Sequence, residues 1–257
     1  MIHAIINDLL TPAQARTHVS FIQQYLLGPD GARLFDRPPP YQGGPQTYFQ
    51  RAESSTFFGR EIGLMYMHAH LRYAQAMARY GDVEAFFLAL RQANPIAIRS
   101  VIPAAALRQA NCYYSSSDAA FADRYEALAQ YDRVKTGAVA LEGGWRIYSS
   151  GAGIAMRLLQ QCFLGLCKEK SVLRIDPVMP ASLDGLQIEG ELAGRKVHIS
   201  YRIGAAGYGP TAVTLNGKAL AFTREVNPYR TGGAEVPMAE VLERLTAGTN
   251  ELLVCLG

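Results

Sequence analysis

The chain has 257 residues, 49% of them hydrophobic and 18% charged, and a formal net charge of +3. That is a globular composition with enough length for a real core and room for two domains. With no basic run it carries no nucleic-acid footprint, and no apolar stretch reaches the roughly 18 residues that a bilayer crossing needs. The opening residues have no basic segment and include Asp8, so no secretory signal is expected and the chain reads as cytoplasmic. Cys112, Cys162, Cys167 and Cys255 show neither a CxxC pair nor a ligand spacing, and are expected to be reduced and mostly buried.

In chain order, Thr11-Pro12 is a helix start, with Thr as N-cap and Pro first. Residues 13–27 then place Val19, Ile22 and Leu26 on one face, until Gly28-Pro29-Asp30-Gly31 stops the helix. The run from Pro38 to Pro45 excludes regular structure and predicts a long loop of the kind that lines sites. Residues 60–80 predict a long helix, or a turn and then a helix, apolar nearly all round and so buried on most sides. Gly81-Asp82 ends it and caps a second helix over 83–93, which stops at Asn94-Pro95. Residues 99–144 are weakly periodic, with one short helix near 119–131. An apolar helix over 154–166 follows.

The texture changes near Lys168. Alternating runs at 186–189, 196–203, 211–215 and 252–256 predict strands, and Asn216-Gly217 predicts a hairpin. One helix is expected over 238–245. The reading is mainly α plus β, with a helical portion over 1–168 and a β-sandwich-like portion over 169–257.

Three constellations carry candidate chemistry. His68 and His70 lie two apart on a predicted helix, about 200° apart around its axis, so they cannot share one metal ion and no metal site is expected. His68 alone is either a hydrogen-bonded core histidine or an imidazole in a polar pocket, able to hold an anion. The segment from Arg108 to Asp118 is dense in amides, hydroxyls and aromatic rings, the palette of sugar sites; the plainer reading is a solvated loop. Asp118, Asp123 and Glu126 fall near a helix start, where capping explains them. Ser149-Ser150-Gly151-Ala152-Gly153, just after Trp145 and Arg146, opens an apolar helix; its unpaired N–H groups make either an ordinary cap or an anion seat. No nucleophile elbow, P-loop or dinucleotide fingerprint is present.

Three stretches in this order, Arg60–Ala69, Arg108–Tyr125 and Gly144–Gly151, resemble the C-terminal part of the inverting glycoside phosphorylases, the family of cellobiose and chitobiose phosphorylase, and above all its β-1,2-glucan branch. The resemblance implies the last part of an (α/α)6 barrel, followed by a jelly-roll-like β-sandwich. It implies phosphorolysis with inversion, inorganic phosphate as co-substrate and no cofactor. His68, Ser150 and Gly151 fall at the family's phosphate-binding positions, with Ser150 where the family has Thr. Gln109 is the candidate for its pocket glutamine, and Asn111, Tyr113, Arg146 and Glu61 are candidate sugar contacts. The family's general-acid Asp lies in an upstream motif that this chain does not contain; Asp8 does not match it. The chain is therefore expected to hold no catalytic acid and to be the C-terminal portion of a larger, oligomeric enzyme, partnered by the missing N-terminal part. The alternatives are a carbohydrate-binding fragment without chemistry, or an assembly subunit that works only when docked to a partner chain.

Overall fold

The computed structural model describes residues 1–37, 65–144 and 149–257; the predicted Pro-rich loop and residues 60–64 lie outside the described residues. In chain order the described helices are α1 (Ile2–Ile6), α2 (Pro12–Phe21), α3 (Met67–Tyr80), α4 (Val83–Ala93), α5 (Arg124–Gln130), α6 (Asp132–Lys135), α7 (Ser149–Leu158) and α8 (Met238–Arg244). The chain divides into two compact units: Met1–His3, Ala13–Ala74 and Leu88–Ala155 in one, and Ala4–Pro12, Gln75–Phe87 and Met156–Gly257 in the other. The fold is mixed α and β with several sheets, and its described helices do not close a barrel.

In the first unit, α2 starts at Pro12 as Thr11-Pro12 dictates and runs into a π-helical turn over Ile22–Leu26. The Gly-Pro-Asp-Gly stop is a tight hairpin, pairing β1 (Leu27–Gly28) with β2 (Gly31–Ala32). Its tip is clamped from several sides. Asp30 is buried and accepts two bonds, at 2.9 and 2.8 Å, from one guanidinium nitrogen of Arg33. Gln92 donates to the Pro29 carbonyl at 3.0 Å.

Sequence periodicity carried the helix at 60–80 too far toward the N-terminus. Met65–Tyr66 is a strand, β3, and α3 begins only at Met67. β3 pairs with β4 (Ser116–Ala119), which pairs with β5 (Leu141–Gly143), both antiparallel. This small sheet was not expected from the sequence. Its order is β3-β4-β5, so it brings 65–66, 116–119 and 141–143 side by side. One apolar cluster backs it, with Ile98, Ile102, Ala119, Tyr131, Val134 and Leu141 among its members. Each such side chain removed from water contributes about 1.5–3 kcal/mol, enough to hold strands that are too short to be stable alone. The short helix expected near 119–131 is α5. Asp123 caps it, accepting from the Tyr125 and Glu126 amides at 2.9 Å each.

In the second unit, β8 (Gln187–Leu192), β9 (Arg195–Arg202), β10 (Pro210–Leu215), β11 (Lys218–Ala219) and β14 (Asn250–Leu256) form a sheet of order β11-β10-β14-β9-β8. The β10–β11 turn is the predicted Asn216-Gly217 hairpin, and β9 and β14 run parallel. A second sheet, β12-β13-β7-β6, joins Thr223–Arg224, Ala234–Pro237, Val172–Ile175 and Leu166–Glu169. Alternate residues of both sheets meet in one apolar core, with Ile175 and Val236 from the second and Ile199, Val213 and Val254 from the first. The predicted helix near 238–245 is α8. The four cysteines are reduced thiols, half-buried rather than mostly buried as expected.

The helix expected at 154–166 starts earlier and ends earlier: α7 opens at Ser149 and gives way to a π-helical turn over Leu159–Phe163. Ser150 and Gly151 therefore sit inside the first helical turn rather than ahead of it. The first-turn N–H groups of a helix lack intrahelical partners, so the change keeps unpaired donors at this corner.

Candidate functional site

The three-stranded sheet positions the site. β3 leads directly into α3, and the Met67 amide that begins the helix donates to the Ser115 carbonyl at 2.9 Å. β4 continues the polar segment 108–115. β5 runs through Gly143 toward α7, with the Gly144 amide donating to the Ser116 carbonyl at 3.1 Å. All three stretches singled out in the sequence are thus anchored to one sheet, although up to about eighty positions separate them along the chain.

His68 is the second residue of α3 and is half-buried. Its imidazole stacks against the ring of Tyr66, centroids 6.2 Å apart and planes 7° apart. Burial holds it below the ordinary histidine range, and the electrostatic influence of Arg72 and His3 pushes in the same direction. A bound anion would reverse that push, because an opposite charge favours the imidazolium.

The neighbouring histidine has a different task. His70 is fully buried. Its Nδ1 accepts from the Ala32 amide at 3.0 Å, which places its proton on Nε2, and Nε2–H donates to the Ala89 carbonyl at 2.9 Å. Both ring nitrogens are committed to backbone, leaving no lone pair for a metal. His70 is the hydrogen-bonded core histidine, and His68 is half-buried beside Tyr66.

At the other wall, Gly151 is buried in the first turn of α7. The hydroxyl of Tyr113 occupies the space where a Cβ at 151 would fall. Tyr113 is half-buried, and its phenol is pushed up to about 12, mainly by burial and also by its electrostatic contact with Tyr66. Tyr113 thus abuts Gly151, and Tyr66 lies beside His68. Ser150 lies in the same first turn by its backbone. Gln109 and Asn111 are exposed; the Gln109 amide donates to the Tyr114 hydroxyl at 2.7 Å. Glu61 and Arg146 lie outside the described residues.

Sequence reasoning missed Tyr66 and Arg72, and it gave Arg108 and Asp118 no partners. Arg108 lies 5.5 Å over the Tyr114 ring and donates to Ser117 Oγ at 3.1 Å. Asp118 is held above the ordinary carboxylate range by burial, against the opposing pull of its Ser116 hydrogen bond and Arg108. Local spacing held no signal for either group, because β4–β5 pairing creates their surroundings. Among the described residues no cluster of three metal-ligating side chains occurs, and no helix is long and apolar enough to cross a membrane.

Residues 165–254 match the family model of the glycoside phosphorylase C-terminal domain. Across 234 residues the chain is 43% identical to a 1,2-β-oligoglucan phosphorylase of Listeria innocua serovar 6a, a match covering 91% of this chain and 21% of that protein. The chain resembles the C-terminal portion of a glycoside phosphorylase along most of its length. It spans about a fifth of the length of that relative.

Proposed function

We propose that the chain forms the C-terminal portion of an inverting glycoside phosphorylase acting on β-1,2-linked glucans, and supplies part of its phosphate and sugar site. The carrying observation is the 43% identity over 91% of the chain, which includes most of the unit that holds His68 and Gly151. Residues 1–168 are read as the end of an (α/α)6 barrel and 169–257 as a β-sandwich domain. The shared core of the two sheets supports the second assignment. The helices absent from this chain are read as part of the remaining four-fifths of the enzyme, its N-terminal partner portion.

In this reading a phosphate oxygen attacks the anomeric carbon. The C–O bond to the leaving sugar breaks, and its oxygen takes a proton from an acid outside this chain. His68, the Ser150 hydroxyl and the Gly151 N–H hold the nucleophile. Charge-assisted donors in fixed positions raise the rate by orienting the attack. Tyr113, Gln109, Asn111, Arg146 and Glu61 are the proposed sugar contacts. Phosphate is a co-substrate, no cofactor is required, and the enzyme is placed in the cytoplasm.

The test replaces the matching fifth of the Listeria protein with this chain and measures phosphate-dependent release of sugar 1-phosphate from a β-1,2-glucan oligosaccharide. The chimera should be active and the chain alone inactive, since proton donation to a leaving group typically contributes 10²–10⁴-fold. His68→Ala in the chimera should raise KM for phosphate far more than KM for sugar. Equal effects on both constants, or activity of the isolated chain, would overturn the assignment.

A further inference from the structure

The geometry points to Tyr66 and Tyr113 as positioning residues, one on each side of the anion seat: Tyr66 sets the plane of the His68 ring, and Tyr113 fixes the Gly151 corner with its hydroxyl. The inference rests on the phosphate reading for its purpose, while its geometric content stands apart from it.

Tyr66 and His68 are two residues apart. Within one regular helix their side chains would point about 200° apart and could not meet. They stack because the chain changes from strand to helix between them. Tyr66 pairs in β3 opposite Ser116, while Met67 begins α3. A parallel, offset pair with centroids 6.2 Å apart lies within the favourable range for aromatic contacts. The offset pair lays the imidazole parallel to the Tyr66 ring. It also restricts rotation of a side chain that must meet an anion edge-on.

Tyr113 acts at the other end. Its hydroxyl fills the space beside Gly151, so glycine is required there by a neighbour and not by a left-handed backbone. Its phenol keeps its proton across the working range of a cytoplasmic enzyme. The group beside the first turn of α7 is thus a neutral O–H donor, which does not repel an incoming oxyanion.

The experiment uses the full chain and inorganic phosphate, with the ring protons of His68 followed by NMR. In the wild type, phosphate should move these signals saturably. Tyr66→Phe keeps the stack and should leave both the signals and the phosphate affinity within about twofold. Tyr66→Leu should shift the His68 ring signals as the neighbouring ring is lost, and weaken phosphate about tenfold. Tyr113→Phe removes only the hydroxyl and should weaken phosphate about five- to tenfold, as expected for one hydrogen bond. Amide spectra of residues 170–257 identify folded variants, and Tyr66→Met serves if the leucine variant fails that check. His68 signals unchanged by loss of the Tyr66 ring overturn the inference, as does phosphate affinity unchanged in both Tyr66→Leu and Tyr113→Phe. If phosphate leaves the wild-type signals unmoved, the phosphate reading fails, and the change of the His68 signals in Tyr66→Leu alone decides the positioning role.

Discussion

His70 makes the stability of the first unit depend on pH in a calculable way. Its ring is fully buried, with Nδ1 accepting from Ala32 and Nε2–H donating to Ala89. Protonation would put a second hydrogen on Nδ1, against the Ala32 N–H. Burial accordingly holds His70 below the ordinary value, against weaker upward pulls from the Ala89 carbonyl and Asp30. An unfolded histidine titrates near 6.5. Since the folded value is lower, the unfolded chain takes up the proton first as pH falls. The stabilisation is therefore complete above about pH 6.5, and is lost on acidification at about 1.4 kcal/mol per pH unit until the folded value is reached. His70→Ala removes both hydrogen bonds and leaves a cavity, which at pH 7.5 should cost about 2–5 kcal/mol. The gap between wild type and His70→Ala should then narrow by up to about 1 kcal/mol from pH 6.5 to 5.5, because the unfolded histidine is only half protonated at the upper end of that window. Urea unfolding, read through amide exchange at Ala32 and its neighbours, measures that gap for the first unit alone. His68 titrates in both proteins, so the difference isolates His70. A gap that stays constant from pH 7.5 to 5.5, or a His70 signal titrating at the ordinary value, refutes the reasoning.

Three other perturbations follow from single contacts. Asp176 and Arg230 form a two-bonded ion pair at 2.8 Å with side chains 7% and 2% exposed, so Asp176→Ala strands a buried guanidinium and should cost about 3–5 kcal/mol in denaturant unfolding of the second unit. Gly165 has φ +71°, and a Cβ there would strike the backbone of Asp176 and Pro177; Gly165→Ala should destabilise that unit by more than about 1 kcal/mol, where an unstrained Gly→Ala change would stabilise it. Asp123→Ala removes the acceptor for two amides at the start of α5 and should cost about 1 kcal/mol, read as faster exchange at Tyr125 and Glu126.

Local signals in the sequence located what local signals control. Thr11-Pro12, Gly81-Asp82, Asp123 and Asn216-Gly217 each act on neighbours within four positions, and each marks a helix end or turn that forms as read. The long strands of the second unit were legible because six to eight residues suffice to display a two-residue period. The β3-β4-β5 sheet was not. Its strands are two to four residues long, and their partners lie up to about fifty positions away along the chain. The parallel β9–β14 pairing was hidden for the same reason. Helical periodicity at 60–80 overrode the start of β3, because apolar residues at 64–67 satisfy a buried strand as well as a buried helix.

That miss bears on the site. Read as one continuous helix, residues 66 and 68 point apart, and no contact between Tyr66 and His68 could be inferred. The strand-to-helix change between Tyr66 and Met67 creates the stack, and the turn of α3 puts His70 on another side of the helix, toward Ala32 and Ala89. Two histidines of identical chemistry are thereby divided between structure and candidate function by their places around one helix. His70 has both nitrogens committed to backbone and cannot take a ligand without losing a fold contact. His68 lies beside the Tyr66 ring and within the field of the Arg72 guanidinium, which an added anion would offset.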